Sequence, residues 1–256
     1  IMKRFRITHI VMACLLLAQG AYGQDIADAM KYIYMREFDT AKTIIESGIN
    51  VNTKERGSYL MNVACHRGNP EMVRFLIEHG AHINVTAEDG STPLYWAAGA
   101  DEDGKLVKLL LERGAQIDSR NALGSTPFNK AVFRAIQKGD NFEVLEILLD
   151  NGADVDAAPE DGQAEGYTPL MEALINNSGR LATFSIWHGA DVNAQAADGN
   201  APLLIAAKEG NLELVKLLMD KGADPGFTNQ EGKTALQIAQ EEDHSEVVSY
   251  LKSLLP

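Results

Sequence analysis

Apolar residues along this chain recur in pairs three to four positions apart, and a glycine interrupts the pattern at regular intervals. Met72-Val73 with Leu76-Ile77, Leu106-Val107 with Leu110-Leu111, Val144-Leu145 with Leu148-Leu149, and Leu214-Val215 with Leu218-Met219 are the clearest cases. That spacing draws one apolar stripe down a short helix. A glycine follows each last turn, where a left-handed residue best ends a helix. The phrase carrying it recurs six times, beginning at Gly48, Gly80, Gly114, Gly152, Gly189 and Gly222, and its fullest form is Gly189-Ala190-Asp191-Val192-Asn193. These glycines stand 32, 34, 38, 37 and 33 residues apart. Self-similarity at that period makes one supersecondary module the unit of structure, stacked on copies of itself. Such a chain displays function on a surface more often than in an enclosed pocket.

Downstream of each phrase lies a polar stretch ending in a second glycine (Gly90, Gly124, Gly166, Gly199, Gly232), which predicts an extended hairpin. Then comes Thr92-Pro93-Leu94, Thr126-Pro127-Phe128, Thr168-Pro169-Leu170, Ala201-Pro202-Leu203 or Thr234-Ala235-Leu236. Thr caps a helix N-terminus well, and Pro in the first turn loses no hydrogen bond there. Small residues follow at Ala97-Ala98, Ala131, Ala173, Ala206-Ala207 and Ala239, which lets the first helix of each pair pack closely.

With these motifs the chain resembles an ankyrin repeat protein from about Asp25 to Leu251. The resemblance implies an all-α fold, a solenoid of about seven helix-turn-helix modules with short β-hairpin fingers. A segment 1–23 would precede a repeat domain over 24–256, with modules at about 25–53, 54–86, 87–120, 121–157, 158–195, 196–228 and 229–254. The family often carries His after the Leu; here Asn62, Tyr95, Asn129, Met171, Leu204 and Gln237 stand there, so a Thr–His network is not implied. The first module lacks a Thr-Pro opening, and the last carries polar Gln240-Glu241-Glu242-Asp243. End modules of a stack have one open face, and such polarity suits them.

The first 23 residues read differently. Lys3, Arg4 and Arg6 precede an apolar run from Ile7 to Ala18, and Ala21-Tyr22-Gly23 has small–x–small form before Gln24. That order predicts a cleaved secretory signal, too short to span a bilayer comfortably, and a periplasmic or secreted bacterial protein. Val11-Met12-Ala13-Cys14 resembles a lipoprotein box, so anchoring through a lipidated Cys14 is the alternative. Removing three cations and no anion takes the net charge from −13 to −16. Such a surface repels nucleic acid and steers cationic partners, although solubility alone is the blander reading. Cys65 would be the one cysteine left, at a small-residue position beside Ala64, which predicts a buried thiol.

No sequence signature of a metalloprotease, serine hydrolase, phosphate loop or paired-cysteine metal site occurs. His66, His79 and His82 lie near one another in sequence, but His79 and His82 hold ordinary repeat positions. Neither Asp101-Glu102-Asp103 nor the stretch Glu160-Asp161 to Glu165 has the spacing of a calcium loop. The chain is therefore expected to be no enzyme, to hold no cofactor or metal, and to act as a monomer. Its expected partner is a protein, with a basic surface, rather than nucleic acid, or a membrane unless Cys14 is lipidated. The resemblance implies an inner surface of hairpin tips and first helices, mapped here to Glu88, Asp89, Ser91, Arg120, Leu123, Phe133, Arg134, Tyr167, Ile175, Asn176, Lys208 and Glu209. The 38-residue interval predicts a longer first helix or turn after Ala131, and the 37-residue interval a longer hairpin over Ala157 to Gly166. Insertions of this kind mark binding faces or neutral drift. A scaffold or accessory factor for a periplasmic protein is the leading expectation; an inhibitor or immunity-type protein, or an enzyme with an unfamiliar site at the insertions, are the alternatives.

Overall fold

The computed structural model describes residues 22–139, 142–160 and 166–254. Most of the expected export segment, with Cys14, lies outside them, as do Asp140, Asp161 and Glu165. Fourteen helices occur among the described residues, and they pair by module as the repeat predicts. The pairs are α1 (Tyr22–Tyr34) with α2 (Phe38–Glu46), α3 (Leu60–His66) with α4 (Pro70–Glu78), and α5 (Pro93–Ala100) with α6 (Lys105–Glu112). Then follow α7 (Pro127–Lys138) with α8 (Glu143–Asp150), α9 (Pro169–Ile175) with α10 (Gly179–Trp187), α11 (Pro202–Lys208) with α12 (Leu212–Asp220), and α13 (Ala235–Glu241) with α14 (Ser245–Ser253). The fold is a mostly helical solenoid.

The Thr-Pro openings act as their chemistry predicts. The hydroxyls of Thr92, Thr126, Thr168 and Thr234 accept from the N–H three residues on, and Pro occupies the first turn of α5, α7 and α9. Ala201 has no such oxygen, and α11 starts without a side-chain cap. Asn62 and Asn129 take part of the role of the missing histidines. Asn62 Nδ2 donates to the Ser91 carbonyl at 3.1 Å, and Asn129 Nδ2 to the Ala157 carbonyl at 2.6 Å. Asn62 thereby bonds the neighbouring module, and Asn129 the turn that ends its own, without any imidazole.

The described chain forms two compact units, one ending at Gln116 and the other beginning at Ile117. Within the first, α1, α3 and α5 pack side by side as an inner row, with α4 and α6 behind them. Within the second, α7, α9, α11 and α13 form the inner row, with α10, α12 and α14 outside it. Leu60, Met72, Leu76, Leu94, Leu106 and Leu110 fill the first unit's core; Phe128, Leu145, Leu148, Leu170, Leu203 and Leu218 fill the second's. Cys65 is fully buried, and burial, with the Asp101 carboxylate adding, pushes its thiol well above the usual range. It is inert packing, not a nucleophile.

The fingers are tight turns, with no strand among the described residues beyond an isolated bridge between Glu55 and Ser58. In the finger of the fourth module the Asn121 N–H reaches the Ser125 carbonyl at 3.1 Å, and the Gly124 N–H returns to the Asn121 carbonyl at 2.9 Å. Gly124 has φ 70, and a Cβ there would stand 2.6 Å from the Glu160 nitrogen of the next finger. Only glycine lets two fingers nest so closely.

The last residue of the first five repeated phrases does more than polar turn-filling. Asn84 Nδ2 donates to the Gly114 carbonyl at 2.9 Å while its Oδ1 accepts from the Gln116 N–H at 3.0 Å. Asn52 clamps Gly80 and His82 in the same way, and Asn193 clamps Gly222 and Asp224. Each asparagine thus stitches its turn to the next module by two backbone bonds. Asp118 and Asp156 hold the same place in the second unit, but a carboxylate has no donor. Asp118 only accepts from the Asp154 N–H at 3.3 Å, and Asp156 from the Asp191 N–H at 3.0 Å.

Asp156 has its carboxyl held above the ordinary carboxylate range by burial, with Asp154 and Asp191 adding repulsion against the Asp191 N–H bond. A carboxyl whose folded pKa exceeds its unfolded value costs stability at neutral pH, and that cost is relieved as pH falls toward the unfolded value. Asp156→Asn should therefore stabilise the protein at pH 7 by about 0.5–1.5 kcal/mol, by adding a donor toward Gly189. Urea midpoints at pH 7 and pH 4 test this: the advantage should shrink at the lower pH, and a destabilised variant at pH 7 would refute it.

The 38-residue interval is spent on helix. α7 runs for 12 residues, against eight in α5 and seven in α9 and α11. The added length, Arg134 to Lys138, ends in the exposed Gln137 and Lys138.

Candidate functional site

The expected contact residues fall into both units. In the first, Glu88 and Asp89 stand exposed on a finger. Ser91 does not join them: it is 1% exposed, and its N–H and Oγ–H both donate to the Asp89 carboxylate, at 3.0 and 2.9 Å. This serine closes the turn instead of facing solvent.

In the second unit, three large apolar side chains project from the finger and inner row. Leu123 on the finger is 54% exposed, Phe133 on α7 is 52% exposed, and Ile175 at the end of α9 is 43% exposed. The Lys130 ammonium lies 5.4 Å from the Phe133 ring centroid, within cation–π range. Arg134, half-buried beside them, keeps a buried Nε without a partner among the described residues. Arg120 is occupied: its Nη1 donates to the Gly124 and Ala158 carbonyls, both at 2.8 Å, and sits 3.6 Å from the Glu160 carboxylate. It ties two fingers together, which fixes the seat of Leu123. Asn176 bonds back to the Glu172 carbonyl, and Lys208 and Glu209 are exposed at the end of α11.

Tyr167 is engaged rather than free. Its hydroxyl donates to Asp198 Oδ2 at 2.6 Å and accepts from Asn200 Nδ2 at 2.9 Å. Burial and the Asp198 carboxylate raise its own pKa. For Asp198, burial opposes ionisation, but the bonds from Tyr167 and Asn200 prevail and hold its carboxyl below the ordinary range. Tyr167 is thus a staple between consecutive fingers. Its partner lies 31 residues away, beyond the reach of local pattern.

A second feature of this unit lies on the outer row. A groove of about 780 Å³ is lined by Phe142, Arg180, Phe184, Trp187, His188 and Leu217, among others. The Phe142 and Phe184 rings meet at 4.8 Å, and the Phe184 and His188 rings at 4.0 Å. Trp187 is 65% exposed, with the Lys221 ammonium 3.8 Å above its ring. Sequence reasoning confined to first helices passed over this surface. The signal was available in Phe184 and Trp187, aromatics three apart on one second helix.

The histidines earlier weighed as ligands make local contacts. The His79 ring meets the Phe75 carbonyl at 2.8 Å, repeated by His188 with Phe184, and His66 packs edge-on against Trp96 at 4.8 Å. Among the described residues no group of three or more His, Cys, Asp or Glu side chains is arranged to hold a metal. No helix among them is long and apolar enough to cross a membrane.

Comparison with known proteins agrees with the helix-pair geometry. The family model for ankyrin repeats (three copies) matches residues 29–121, 105–184 and 176–254. The mouse ankyrin repeat and SOCS box protein 16 is 31% identical over 189 residues, which is 59% of this chain and 41% of that protein. The mouse B-cell lymphoma 3 protein homolog is 38% identical over 76 residues, 30% of this chain and 16% of that protein. The chain thus spans less than half the length of these curated relatives. Among solved structures, the human ASB11 ankyrin repeat domain gives a TM-score of 0.70 at 28% identity, covering 89% of this chain and 97% of that one. The ankyrin repeat domain of Bcl-3 gives 0.73 at 26% identity, covering 88% and 97%. A chain from the complex of the predatory endopeptidase Bd0816 of Bdellovibrio bacteriovorus with immunity protein Bd3460 gives 0.65 at 28% identity, covering 79% and 100%.

Proposed function

Because the chain belongs to the ankyrin repeat family, we propose that it is a non-catalytic module that binds a partner protein on the fingers and first helices of its second unit. One observation carries this reading: Leu123, Phe133 and Ile175 present apolar side chains to solvent from elements whose other faces are packed. Exposed apolar and aromatic side chains on rigid elements are the usual anchors of an interface. The partner is a protein with a basic contact surface, favoured by the excess of 36 acidic over 23 basic side chains. It is held as a scaffold or accessory factor would hold it, by a monomer.

The setting we propose is the periplasm or the exterior of a bacterium. The basic–apolar–small order of residues 1–23 supports it. Mass spectrometry of the protein from its native host should find Gln24 as the first residue. A diacylglyceryl group on Cys14 would establish the anchored form instead, and an uncleaved chain would remove the export reading.

An inhibitor or immunity-type role is the second reading, favoured by likeness to a chain of an endopeptidase–immunity protein complex. A tagged pull-down from the envelope fraction, followed by assay of the captured protein with and without this chain, separates the two. Unchanged partner activity supports the scaffold, and suppressed activity the inhibitor. Failure to retain any protein at low salt would overturn both.

A further inference from the structure

The first unit contains a small groove that the surface described above does not use. It runs between the fingers of the second and third modules, over α3 and α5, and has a volume of about 330 Å³. Val63, Trp96 and Tyr34 wall it, and Glu88 and Asp89 edge it. The fingers that frame it are joined by a backbone bond from the Glu88 N–H to the Gly57 carbonyl at 2.6 Å, which fixes the seat of the glutamate.

Asn62 also lines this groove, and it is 1% exposed. Its Nδ2 is committed to the Ser91 carbonyl, an acceptor that fixes which end of the amide faces it. That leaves Oδ1 buried, with no hydrogen-bond partner among the described residues. A buried acceptor without a donor is costly, and most such atoms in folded proteins are satisfied. The groove therefore combines one buried demand for an N–H donor with two carboxylates at the edge and aromatic walls.

Every one of those features suits a cation that carries several N–H donors on a flat, stackable head. The Tyr34 ring, 58% exposed, already takes a guanidinium on one face, with Arg67 Cζ 4.9 Å from its centroid. An ammonium meets one acceptor as a point charge, whereas a guanidinium donates through a planar fork and stacks on rings. The Glu88 side chain makes no ion pair among the described residues, whereas Asp89 is partly engaged by Ser91.

We infer that this groove receives an arginine side chain of a partner protein, its stem against Val63 and Trp96 and its guanidinium between Asn62 Oδ1 and the Glu88 carboxylate. The inference rests on the protein-binding reading only for the source of the arginine. The groove lies in the other unit from Leu123 and Phe133, so the two stand or fall separately.

The test uses no partner. The protein is titrated with acetyl-Gly-Arg-Gly-amide, and with its citrulline and lysine counterparts at matched ionic strength, while NMR follows the Asn62 side-chain amide and the Trp96 indole. The arginine peptide should shift both signals saturably, the lysine peptide more weakly, and the citrulline peptide hardly at all. Glu88→Gln and Tyr34→Ala change exposed side chains and should leave the fold intact; each should weaken the arginine titration by about threefold, the effect of one exposed ionic or ring contact. Equal response to citrulline would show that charge is not read, and equal response to lysine that the fork is not. Shifts scattered over acidic surface without Asn62 and Trp96 would overturn the assignment altogether. If that happens while Leu123 and Phe133 variants still lose partner capture, the groove fails and the proposed function survives.

Discussion

Leu148→Ala is expected to lower the unfolding free energy by about 2–5 kcal/mol, the range for truncating a fully buried leucine. Leu148 is 0% exposed near the C-terminus of α8, and its carbonyl also receives the Asn151 and Ala153 N–H groups that close the helix at Gly152. The side chain is fully buried, so the surrounding structure cannot close onto the gap without shifting the turn. In a stack, stability is close to a sum of module terms and nearest-neighbour interfaces. The loss should therefore appear first in the modules around α8. Urea unfolding followed by circular dichroism gives the total, and hydrogen exchange its location. A midpoint shift worth less than about 1 kcal/mol, below the range for such truncations, would mean that α8 contributes little to a shared core.

The larger functional effect is expected from Leu123→Ala combined with Phe133→Ala. Both side chains are more than half exposed, so their removal should move the melting temperature little. If they anchor a partner, affinity should fall about 30-fold or more, the scale of truncating hot-spot residues. Tyr167→Phe is the useful contrast. It removes the donor to Asp198, a bond of the kind worth about 1.5–3 kcal/mol of stability when one partner is charged, and should leave capture unchanged. Capture that survives the double variant but fails in Trp187→Ala would move the interface to the outer groove lined by Phe142, Phe184 and Leu217.

Much of the fold is legible in sequence because its determinants are local. Pairs such as Val144-Leu145 and Leu148-Leu149, a closing Gly152 and a Thr-Pro opening each act within a turn or two of themselves. The lengthened α7 was likewise foreshadowed by repeat spacing alone. The features that escaped were bonds across about thirty residues. Asn84 reads as an ordinary turn residue until its two partners at Gly114 and Gln116 are seen. Tyr167 reads as an exposed aromatic until Asp198 and Asn200 arrive from the next finger. Ser91 reads as a fingertip because hairpin polarity says nothing of which polar residue turns under. Asn62 could be seen to replace a histidine, but not that its second amide atom would be left buried.

The asparagine and aspartate rungs carry a mechanical consequence. Where asparagine joins two turns, the joint has two fasteners; at Asp118 and Asp156 it has one, and a negative charge besides. Those single joints flank the extended α7. Under load, this portion of the coil should yield before its neighbours, so that pitch adjusts there while the helices stay rigid. Within the second unit, give at those joints would let the seat of Phe133 shift toward a contacting surface while the buried side chains stay packed.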